Sequence, residues 1–489
     1  MQTRELAEEL IGEYGLNLNV KQFQSSLSLI KNRQEHRIPK GESLPEACVR
    51  QYQDRLGSLK ALDFDDILTE TIRLLKDDPK VKGKSFSYLF VDEFQDINPV
   101  QYELMELWNQ GGRELFVIGD PEQSIYGFRG SDAACFENLQ KDYPETRVIR
   151  LEENYRSVSS VVDSALAVIS QNPGQERKLH AVKGDGEKVR IVEASGEMAQ
   201  AIFAAKEINR QIGGIDMLDI ENSFERETER RQRRFSDIAI LYRTHHQARL
   251  LEKCLKQEGI PYVIAGRDEF LDSLEVQGCI SFFRSILNPK DLLARREALK
   301  LLWDLPENAV TSQVYEIQRE TYEPLLKRTK PHKLIQRWRK EMRQEEDAAM
   351  DCLERMAILH KNMGELLETL STGQESDILC CSGKSYASDA VTLMTMHGAK
   401  GLEFPVVLVL GAQEGKVPLE SAAYETDIEE ERRLFYVGMT RAKEELILTY
   451  ADKPSPFLAD IPEACIRKER AGKAAKEKQG EQMSLFEFL

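Results

Sequence analysis

The 489-residue sequence lacks the features of membrane, secreted and disulfide-stabilised proteins. None of its apolar runs approaches the roughly 20 residues that cross a bilayer. The N-terminus, Met1–Leu6, has neither the apolar core nor the cleavage site of a signal peptide. The 8 cysteines are scattered without the spacing of a disulfide framework or a zinc site. These absences predict a cytoplasmic protein with reduced thiols and no membrane partner.

Basic residues are also in deficit, with 67 Lys and Arg against 83 Asp and Glu and a formal net charge of −16. Because phosphate binding draws on Lys and Arg, this deficit disfavours indiscriminate coating of nucleic acid. It leaves room for a narrow basic track for one strand, since a multidomain chain can be basic in a groove and acidic elsewhere. The length predicts about two to four domains.

Apolar periodicity divides the chain into helical and α/β stretches. Residues 1–80 are typical of helices, and charged, Leu-containing helical patterns return from about 290 to 375. Elsewhere short apolar strands alternate with helical patterns, which predicts a parallel α/β sheet. The predicted strands lie at 88–91, 114–118, 147–151, 189–192, 237–242, 261–264, 390–394, 405–410 and 445–450.

The first predicted strand, Tyr88–Val91, ends in two adjacent acids, Asp92 and Glu93. Ligands of open α/β sheets bind at the carboxyl ends of strands. Nucleotide-hydrolysing enzymes place a Mg²⁺-binding carboxylate beside a water-activating one in this way. For the pair taken alone, a solvated acidic turn is the alternative.

The sequence lacks the phosphate loop, Gly-x-x-x-x-Gly-Lys-Ser/Thr, that such a site requires. The nearest match is Gly383-Lys384-Ser385, where Ile378 stands in place of the first glycine. We therefore expect these residues to form only part of a nucleotide site.

Two further polar segments follow predicted strands. In the segment 119–130, the Gln123 amide could donate to and accept from a phosphate–water network, and Tyr126 and Phe128 offer aromatic faces to unpaired bases. Arg156 follows the strand predicted at 147–151, where a guanidinium could stabilise a γ-phosphate. Core packing and surface ion pairing are the alternatives for each residue alone.

Two more segments carry candidate residues near the C-terminus. The Gly-rich turn 395–404 contains Glu403, which could accept a hydrogen bond from a ribose hydroxyl. The segment 429–443 is typical of a helix and presents Arg441 near its end, where it could reach a phosphate. A structural turn and helical ion pairs are the alternatives.

Together and in this order, the five segments resemble motifs II to VI of the UvrD/Rep-like superfamily 1 DNA helicases, from residue 88 to 450. Leu62–Asp66 also resembles a short family segment ahead of motif II. The resemblance implies an α/β fold of two RecA-like parallel-sheet domains with helical insertions and ATP in the cleft. It implies an ATP-dependent helicase that moves 3′ to 5′ on single-stranded and duplex-junction DNA, in DNA repair or replication.

The resemblance also implies roles for individual residues. Asp92 would bind Mg²⁺ and Glu93 would activate water. Further ATP contacts would come from Gln123, Arg156, Glu403 and Arg441. The single-strand path would be bordered by Tyr126, Phe128, Arg129, Thr395, His397 and Lys400. The family usually has Trp where Phe128 stands, and the substitution preserves an aromatic face.

The family's adenine-contacting glutamine and phosphate loop precede its first helical insertion, where this chain begins. We therefore expect a missing N-terminal segment to supply them, and we expect this chain alone neither to hydrolyse ATP nor to fold its first domain stably. The expected divisions are the rest of the insertion (1–80), the end of the first RecA-like domain (81–150), the second domain (151–289 and 386–451), an inserted helical subdomain (290–385) and a flexible tail (452–489).

The tail holds a short segment, Gln482–Phe486, that resembles the peptide by which bacterial replication and repair proteins bind the sliding clamp. Gln482 would anchor it by hydrogen bonds, and Met483, Leu485 and Phe486 would fill an apolar pocket. A terminal turn packed on its own protein is the alternative.

Three functions remain open at this point. The first is a helicase that works when an N-terminal segment is supplied. The second is a non-catalytic DNA- or clamp-binding remnant of such a helicase. The third, the motor of a helicase–nuclease complex, is disfavoured because nothing after residue 450 resembles a nuclease.

Overall fold

The computed structural model describes residues 2–58, 61–78, 81, 85–127, 130–131, 134–174, 178–213, 233–265, 271, 273–306, 312–342, 347–358, 360–372, 389–420 and 426–471. The chain forms two compact units. Unit 1 comprises Met1–Pro121, Tyr126–Asp142 and Ala265–Ala387. Unit 2 comprises Glu122–Ile125, Tyr143–Ile264 and Ser388–Leu489.

Unit 1 opens with four helices, as the sequence predicts for residues 1–80. They are α1 (Gln2–Glu13), α2 (Val20–Lys31), α3 (Glu46–Ser58) and α4 (Phe64–Asp77). Apolar side chains from α1, α2 and α3, among them Leu10, Phe23 and Tyr52, form a shared buried core. The apolar spacing of these helices places their buried residues on one face each.

The α/β part of unit 1 is a pair of parallel strands, β1 (Tyr88–Val91) and β2 (Glu114–Val117). Helix α5 (Pro99–Asn109) connects them and α6 (Cys135–Asp142) follows. Among the residues that the structure describes, none covers one face of the pair, and Phe90 is 71% exposed beside the exposed Tyr88 and Phe116. Parallel sheets normally have both faces covered, so this exposed apolar face is unusual.

A polar network ties the first helices to the start of α5. Lys31 Nζ lies 2.5 Å from Asp63 Oδ2 and 2.6 Å from Asp66 Oδ1. The adjacent Asn32 Oδ1 accepts a hydrogen bond of 2.9 Å from Asn98 Nδ2. Asn98 in turn caps α5 through the main-chain amide of Gln101. The helix after the acid pair therefore starts at a position that α2 and α4 help to fix.

Unit 1 also contains a separate helical cluster. Its members are α10 (Leu274–Leu287), α11 (Leu292–Trp303), α12 (Gln313–Tyr322), α13 (Pro331–Glu341), α14 (Ala348–Ala357) and α15 (Met363–Thr372). They enclose an aromatic core that includes Phe282, Tyr322 and Trp338. The helices predicted from about residue 290 thus begin earlier, at Leu274, because α10 contributes Phe282 to this core. Within the described ranges, each helix is too short or too polar to span a bilayer.

Unit 2 is built on a seven-stranded sheet in which every described pairing is parallel. Its strand order is β11-β5-β10-β9-β6-β8-β7. The strands are β5 (Val189–Ala194), β6 (Ile238–Tyr242), β7 (Tyr262–Ile264), β8 (Val391–Thr395), β9 (Phe404–Val409), β10 (Ala442–Ala451) and β11 (Ile466–Arg470). The helices are α7 (Ser159–Ile169), α8 (Glu197–Gln211), α9 (Ala248–Gln257) and α16 (Ile428–Met439). The predicted parallel α/β fold is confirmed, and every residue of β6 is buried.

The strand predicted at 147–151 is wrong. Residues 146–152 have no regular secondary structure, and Leu151 is 82% exposed. The strand that does form is β3 (Glu153–Asn154), which pairs with β4 (His180–Ala181). Alternating apolar residues make a strand only where a neighbour takes the main-chain hydrogen bonds and a layer covers the side chains. Among the described residues, no strand pairs with 147–151, and Val148, Ile149 and Leu151 are exposed.

The flexible tail expected from residue 452 is wrong for residues 452–471. Phe457 and Leu458 are buried. Strand β11 then pairs with β5, with Ile466 opposite Val189 and Arg470 opposite Glu193. The segment after Ala451 therefore completes one edge of the sheet. Residues 472–489 lie outside the described ranges.

Candidate nucleotide and DNA site

The acid pair lies directly after β1, at its carboxyl end, as the sequence predicts. Both Asp92 and Glu93 are exposed. Glu93 adopts a left-handed conformation, with φ 51° and ψ 39°, and its amide donates to Asp92 Oδ1 at 2.9 Å. Non-glycine residues in this conformation are strained and cluster at functional sites. The turn thus presents two adjacent carboxylates to solvent.

The side chain of Gln95 stabilises this turn, and the sequence analysis did not identify Gln95 as a site residue. Its buried side chain donates to Glu93 Oε2 at 2.5 Å and accepts from the Asp120 amide at 3.0 Å. It therefore links the end of β1 to the end of β2. A Cβ at Gly119 would lie 2.3 Å from Gln95 Oε1, so only glycine fits there. The available sequence signal was a glutamine inside the acidic run and a glycine after the next strand.

A Mg²⁺ ion is compatible with Asp92. This ion commonly takes one or two carboxylates and completes its shell with water and phosphate oxygens. Among the described residues no group of three or more His, Cys, Asp or Glu side chains could enclose a metal ion. The exposed Asp92 carboxylate fits an ion held in this way.

Arg441 is the most deeply buried candidate residue, with 1% of its surface exposed. Its guanidinium donates to the carbonyls of Val437 (2.9 Å) and Leu402 (3.2 Å). It also donates to Gln123 Oε1 at 3.3 Å. Residues 122–125 belong to unit 2, so two of the predicted phosphate contacts meet within that unit.

Glu403 bridges two cations. Arg156 Nε lies 2.7 Å from Glu403 Oε2, and Lys443 Nζ lies 2.5 Å from Glu403 Oε1. The hydrogen bond from Lys443, and then the one from Arg156, hold the pKa of the Glu403 carboxyl below its usual range. The sequence reasoning missed Lys443. Its signal was a lysine two residues after Arg441, at the start of β10.

The loop that carries Arg156 is fixed by its neighbours. Asn154 Oδ1 accepts from the amides of Arg156 (3.0 Å) and Ser157 (2.8 Å). Ser157 Oγ donates to the Ala442 carbonyl at 2.6 Å, and the Val158 amide donates to the Lys443 carbonyl at 3.1 Å. Arg156 is thereby placed beside the start of β10.

Glu403 and Arg441 lie side by side because their strands are neighbours. Each precedes a strand, β9 or β10, and Phe404 is opposite Ala442. Both therefore lie at the amino edge of the sheet in unit 2. The acid pair of unit 1 lies at a carboxyl edge, so the usual rule locates the acid pair but does not locate Glu403 and Arg441.

The structure describes four of the six residues that the sequence predicts to contact DNA. Thr395 Oγ1 accepts from the Gly398 amide at 3.1 Å, and the His397 carbonyl accepts from the Lys400 amide at 3.2 Å. Lys400 Nζ donates to the Gln123 carbonyl at 2.8 Å. Tyr126 is half-buried in unit 1. Their DNA-binding roles stay predictions.

Six predicted residues lie outside the described ranges. They are Phe128 and Arg129 of the DNA path and Gln482, Met483, Leu485 and Phe486 of the clamp peptide.

The chain matches two family models of helicase domains. Residues 4–144 match the UvrD/REP helicase N-terminal domain, and residues 149–330 and 310–453 match the UvrD-like helicase C-terminal domain. The chain belongs to the UvrD/Rep helicase family. The resemblance found in the sequence is thereby confirmed, and the family implies two RecA-like domains.

Relatives of this UvrD/Rep chain include the ATP-dependent DNA helicase PcrA of Staphylococcus aureus, 32% identical over 492 residues. That match covers 86% of this chain and 64% of the relative. PcrA of Staphylococcus epidermidis is 31% identical and covers 84% of this chain and 63% of the relative. The chain thus spans a little under two thirds of the length of these relatives.

Among solved structures, the C-terminal domain of a possible DNA helicase from Lactobacillus strain WCFS1 is 13% identical, with a TM-score of 0.29. It covers 64% of this chain and 98% of that chain. The family assignment rests on the sequence matches.

The Glu403 cluster predicts a pH dependence. Because the folded-state pKa of Glu403 is lowered, the pairing contributes stability above the usual glutamate pKa of about 4.3 and loses it as the pH falls through the folded-state value. We expect Lys443→Gln to raise the pKa of Glu403, measured by carboxyl ¹³C NMR with Glu403→Gln to identify the resonance. Lys453→Gln, which removes an exposed partner of Glu414, should leave it unchanged. An ordinary pKa for Glu403 in the unmodified chain would contradict the pairing.

Gly186 predicts a steric constraint on the Arg156 loop. A Cβ at Gly186 would lie 2.6 Å from Val158 Cβ, so Gly186→Ala should displace the loop and lower the free energy of unfolding by about 1–3 kcal/mol. Urea unfolding followed by circular dichroism measures this. Gly196→Ala is the control, because a Cβ there meets nothing within 4 Å. Equal stabilities of the two variants would refute the constraint.

Proposed function

We propose that this chain is the larger part of an ATP-dependent DNA helicase of the UvrD/Rep type that moves 3′ to 5′ along single-stranded DNA. The observation that carries the proposal is the clustering in unit 2 of Gln123, Arg156, Glu403 and Arg441. Two arginines, an amide and a carboxylate at one sheet edge suit the polyphosphate and sugar of a nucleotide. The family membership supports the same reading.

Within this proposal, each residue of the cluster has a defined task. Arg441 is suited to a phosphate, because its planar guanidinium, oriented by the carbonyls of Val437 and Leu402, is a charged fork of donors that matches phosphate oxygens. Arg156 can exchange Glu403 for phosphate, since Lys443 still neutralises that carboxylate. Gln123 offers an amide that both donates and accepts.

The acid pair of unit 1 has a separate task. Asp92 would hold Mg²⁺ together with phosphate oxygens and water. Glu93 would accept a proton from the attacking water or orient it, and Gln95 fixes the carboxylate for that purpose. ATP, when bound, supplies the phosphoanhydride bond whose hydrolysis releases the free energy for movement.

The phosphate loop in this proposal comes from a segment outside the 489 residues, since the sequence contains none. The uncovered face of β1 and β2 supports this, because Tyr88, Phe90 and Phe116 expose aromatic surface that further sheet or helix would cover. We infer that the same segment completes the sheet of unit 1.

The proposed substrates are single-stranded DNA and duplex junctions, in DNA repair or replication in the cytoplasm. The strand would pass Tyr126, Thr395, His397 and Lys400, with Phe128 and Arg129 adding an aromatic face and a charge. The absent phosphate loop is the one observation that favours the second candidate function, a non-catalytic remnant that binds DNA.

The proposal predicts no DNA-stimulated ATP hydrolysis by the purified 489-residue chain. A fusion that adds the phosphate-loop segment of a PcrA relative at the N-terminus should restore it. In the restored protein Glu93→Gln should lower kcat by about 10²-fold or more with little change in KM for ATP, because it removes the water-activating base.

Glu46→Gln is the matched control, since Glu46 is exposed and far along the chain from the acid pair. Robust hydrolysis by the unfused chain would overturn the need for an added segment. A fusion that binds single-stranded DNA without hydrolysing ATP would favour the non-catalytic alternative.

A finer proposal concerns the segment Gln482–Phe486, which we infer binds the bacterial sliding clamp. A fluorescently labelled peptide of residues 476–489 should bind a purified clamp, measured by anisotropy. Leu485→Ala with Phe486→Ala should weaken binding at least tenfold, because both side chains would fill the apolar pocket. The control is Glu481→Gln, which keeps the anchor and the apolar side chains. Failure of the unaltered peptide to bind would remove this proposal.

A further inference from the structure

Residues Glu122–Ile125 are a short part of unit 2 inserted between two stretches of unit 1 along the chain. Ser124 and Ile125 are buried. Within unit 2 this tetrapeptide, which we call the Gln123 segment, has no strand partner; its residues belong to a single turn of 3₁₀ helix and a following coil. Its position must therefore come from contacts other than a sheet ladder.

Cations from one helix and two turns contact the Gln123 segment. Lys400 Nζ donates to the Gln123 carbonyl at 2.8 Å. Arg433 Nε donates to the Ser124 carbonyl at 3.0 Å. Arg441 reaches the Gln123 side chain at 3.3 Å. Lys400 and Arg433 thus contact successive main-chain carbonyls, and Arg441 contacts the side-chain oxygen of Gln123.

Arg433 is better explained by this contact than by an ordinary helical ion pair. Its side chain is only 13% exposed, and its i,i+4 partner Glu429 is 3.9 Å away and largely exposed. The preceding Arg432 takes a different direction, to Asp460 and to the ring of Phe457. Two adjacent arginines on α16 therefore serve different parts of unit 2. Charge-assisted hydrogen bonds to carbonyl oxygens are among the stronger and more directional ones.

We propose that Arg433, together with Lys400, is a positioning residue that holds the main chain of the Gln123 segment so that the Gln123 amide meets Arg441. Its catalytic consequence rests on the proposed function, in which Gln123 contacts phosphate. Its structural consequence, the anchoring of residues 122–125, stands without that function.

Hydrogen exchange of the purified 489-residue chain, followed by mass spectrometry, tests the anchoring. Arg433→Gln should accelerate exchange about tenfold in peptides covering 122–127 and leave β9 and β10 unchanged. Arg433→Lys, which keeps a charged donor, should fall between Arg433→Gln and the unmodified chain. Arg432→Gln is the matched control on the same helix and should leave 122–127 unchanged.

Several results would overturn the proposal. They are unchanged exchange in 122–127 with Arg433→Gln, equal acceleration with Arg432→Gln, or acceleration throughout unit 2. If Arg433→Gln does not fold, Arg433→Lys decides: acceleration confined to 122–127 supports the anchoring, and uniform acceleration refutes it.

A kinetic arm tests the link to Gln123 in the fusion that carries a phosphate loop. Arg433→Gln should lower kcat more than it raises KM for ATP, and it should add less than twofold to the loss caused by Gln123→Ala. Fully additive losses would show that Arg433 acts elsewhere. Absence of any hydrolysis by the fusion would refute the proposed function, while the exchange experiment would still decide the anchoring.

Discussion

The buried guanidinium of Arg441 is the constraint on which the candidate site of unit 2 depends. A buried charge is costly unless hydrogen bonds replace its water. Here the carbonyls of Val437 and Leu402 and the amide of Gln123 supply them. The end of α16, the turn before β9 and the Gln123 segment must therefore converge on one side chain. This convergence gives the cluster its geometry.

The strands of the parallel sheet in unit 2 are more deeply buried than the two parallel strands of unit 1. In unit 2 the interior strand β6 is buried along its whole length. In unit 1 the two strands expose Phe90 and its aromatic neighbours. The acid turn of unit 1 is nevertheless well ordered locally, since Gln95 links it to Asp120. An acidic turn can thus be held by contacts between two strand ends even where the aromatic side chains of those strands are exposed.

The sequence predicted most of the strands because their cores are strongly apolar and bounded by polar turns. It failed at 147–151, where the same alternation occurs without a partner strand. The prediction was also wrong at 452–471, where the mostly charged segment Ile466–Arg470 forms β11. This strand pairs with β5 through main-chain hydrogen bonds. In both places the outcome depends on neighbours that local composition does not encode.

By itself the sequence determined the identity and order of the chemical groups: the acid pair after a strand, the glutamine, the two arginines and the carboxylate of Glu403. Tertiary structure alone decided which of them meet. Gln123 and Arg441 are 318 residues apart, and Arg156 and Glu403 are 247 apart. The tertiary structure also places Gln95 against Glu93, Arg433 against Ser124 and Lys443 against Glu403. No motif singled out these three residues. Contacts at such separations depend on strand order and register, and these are set by packing of the whole sheet rather than by local pattern.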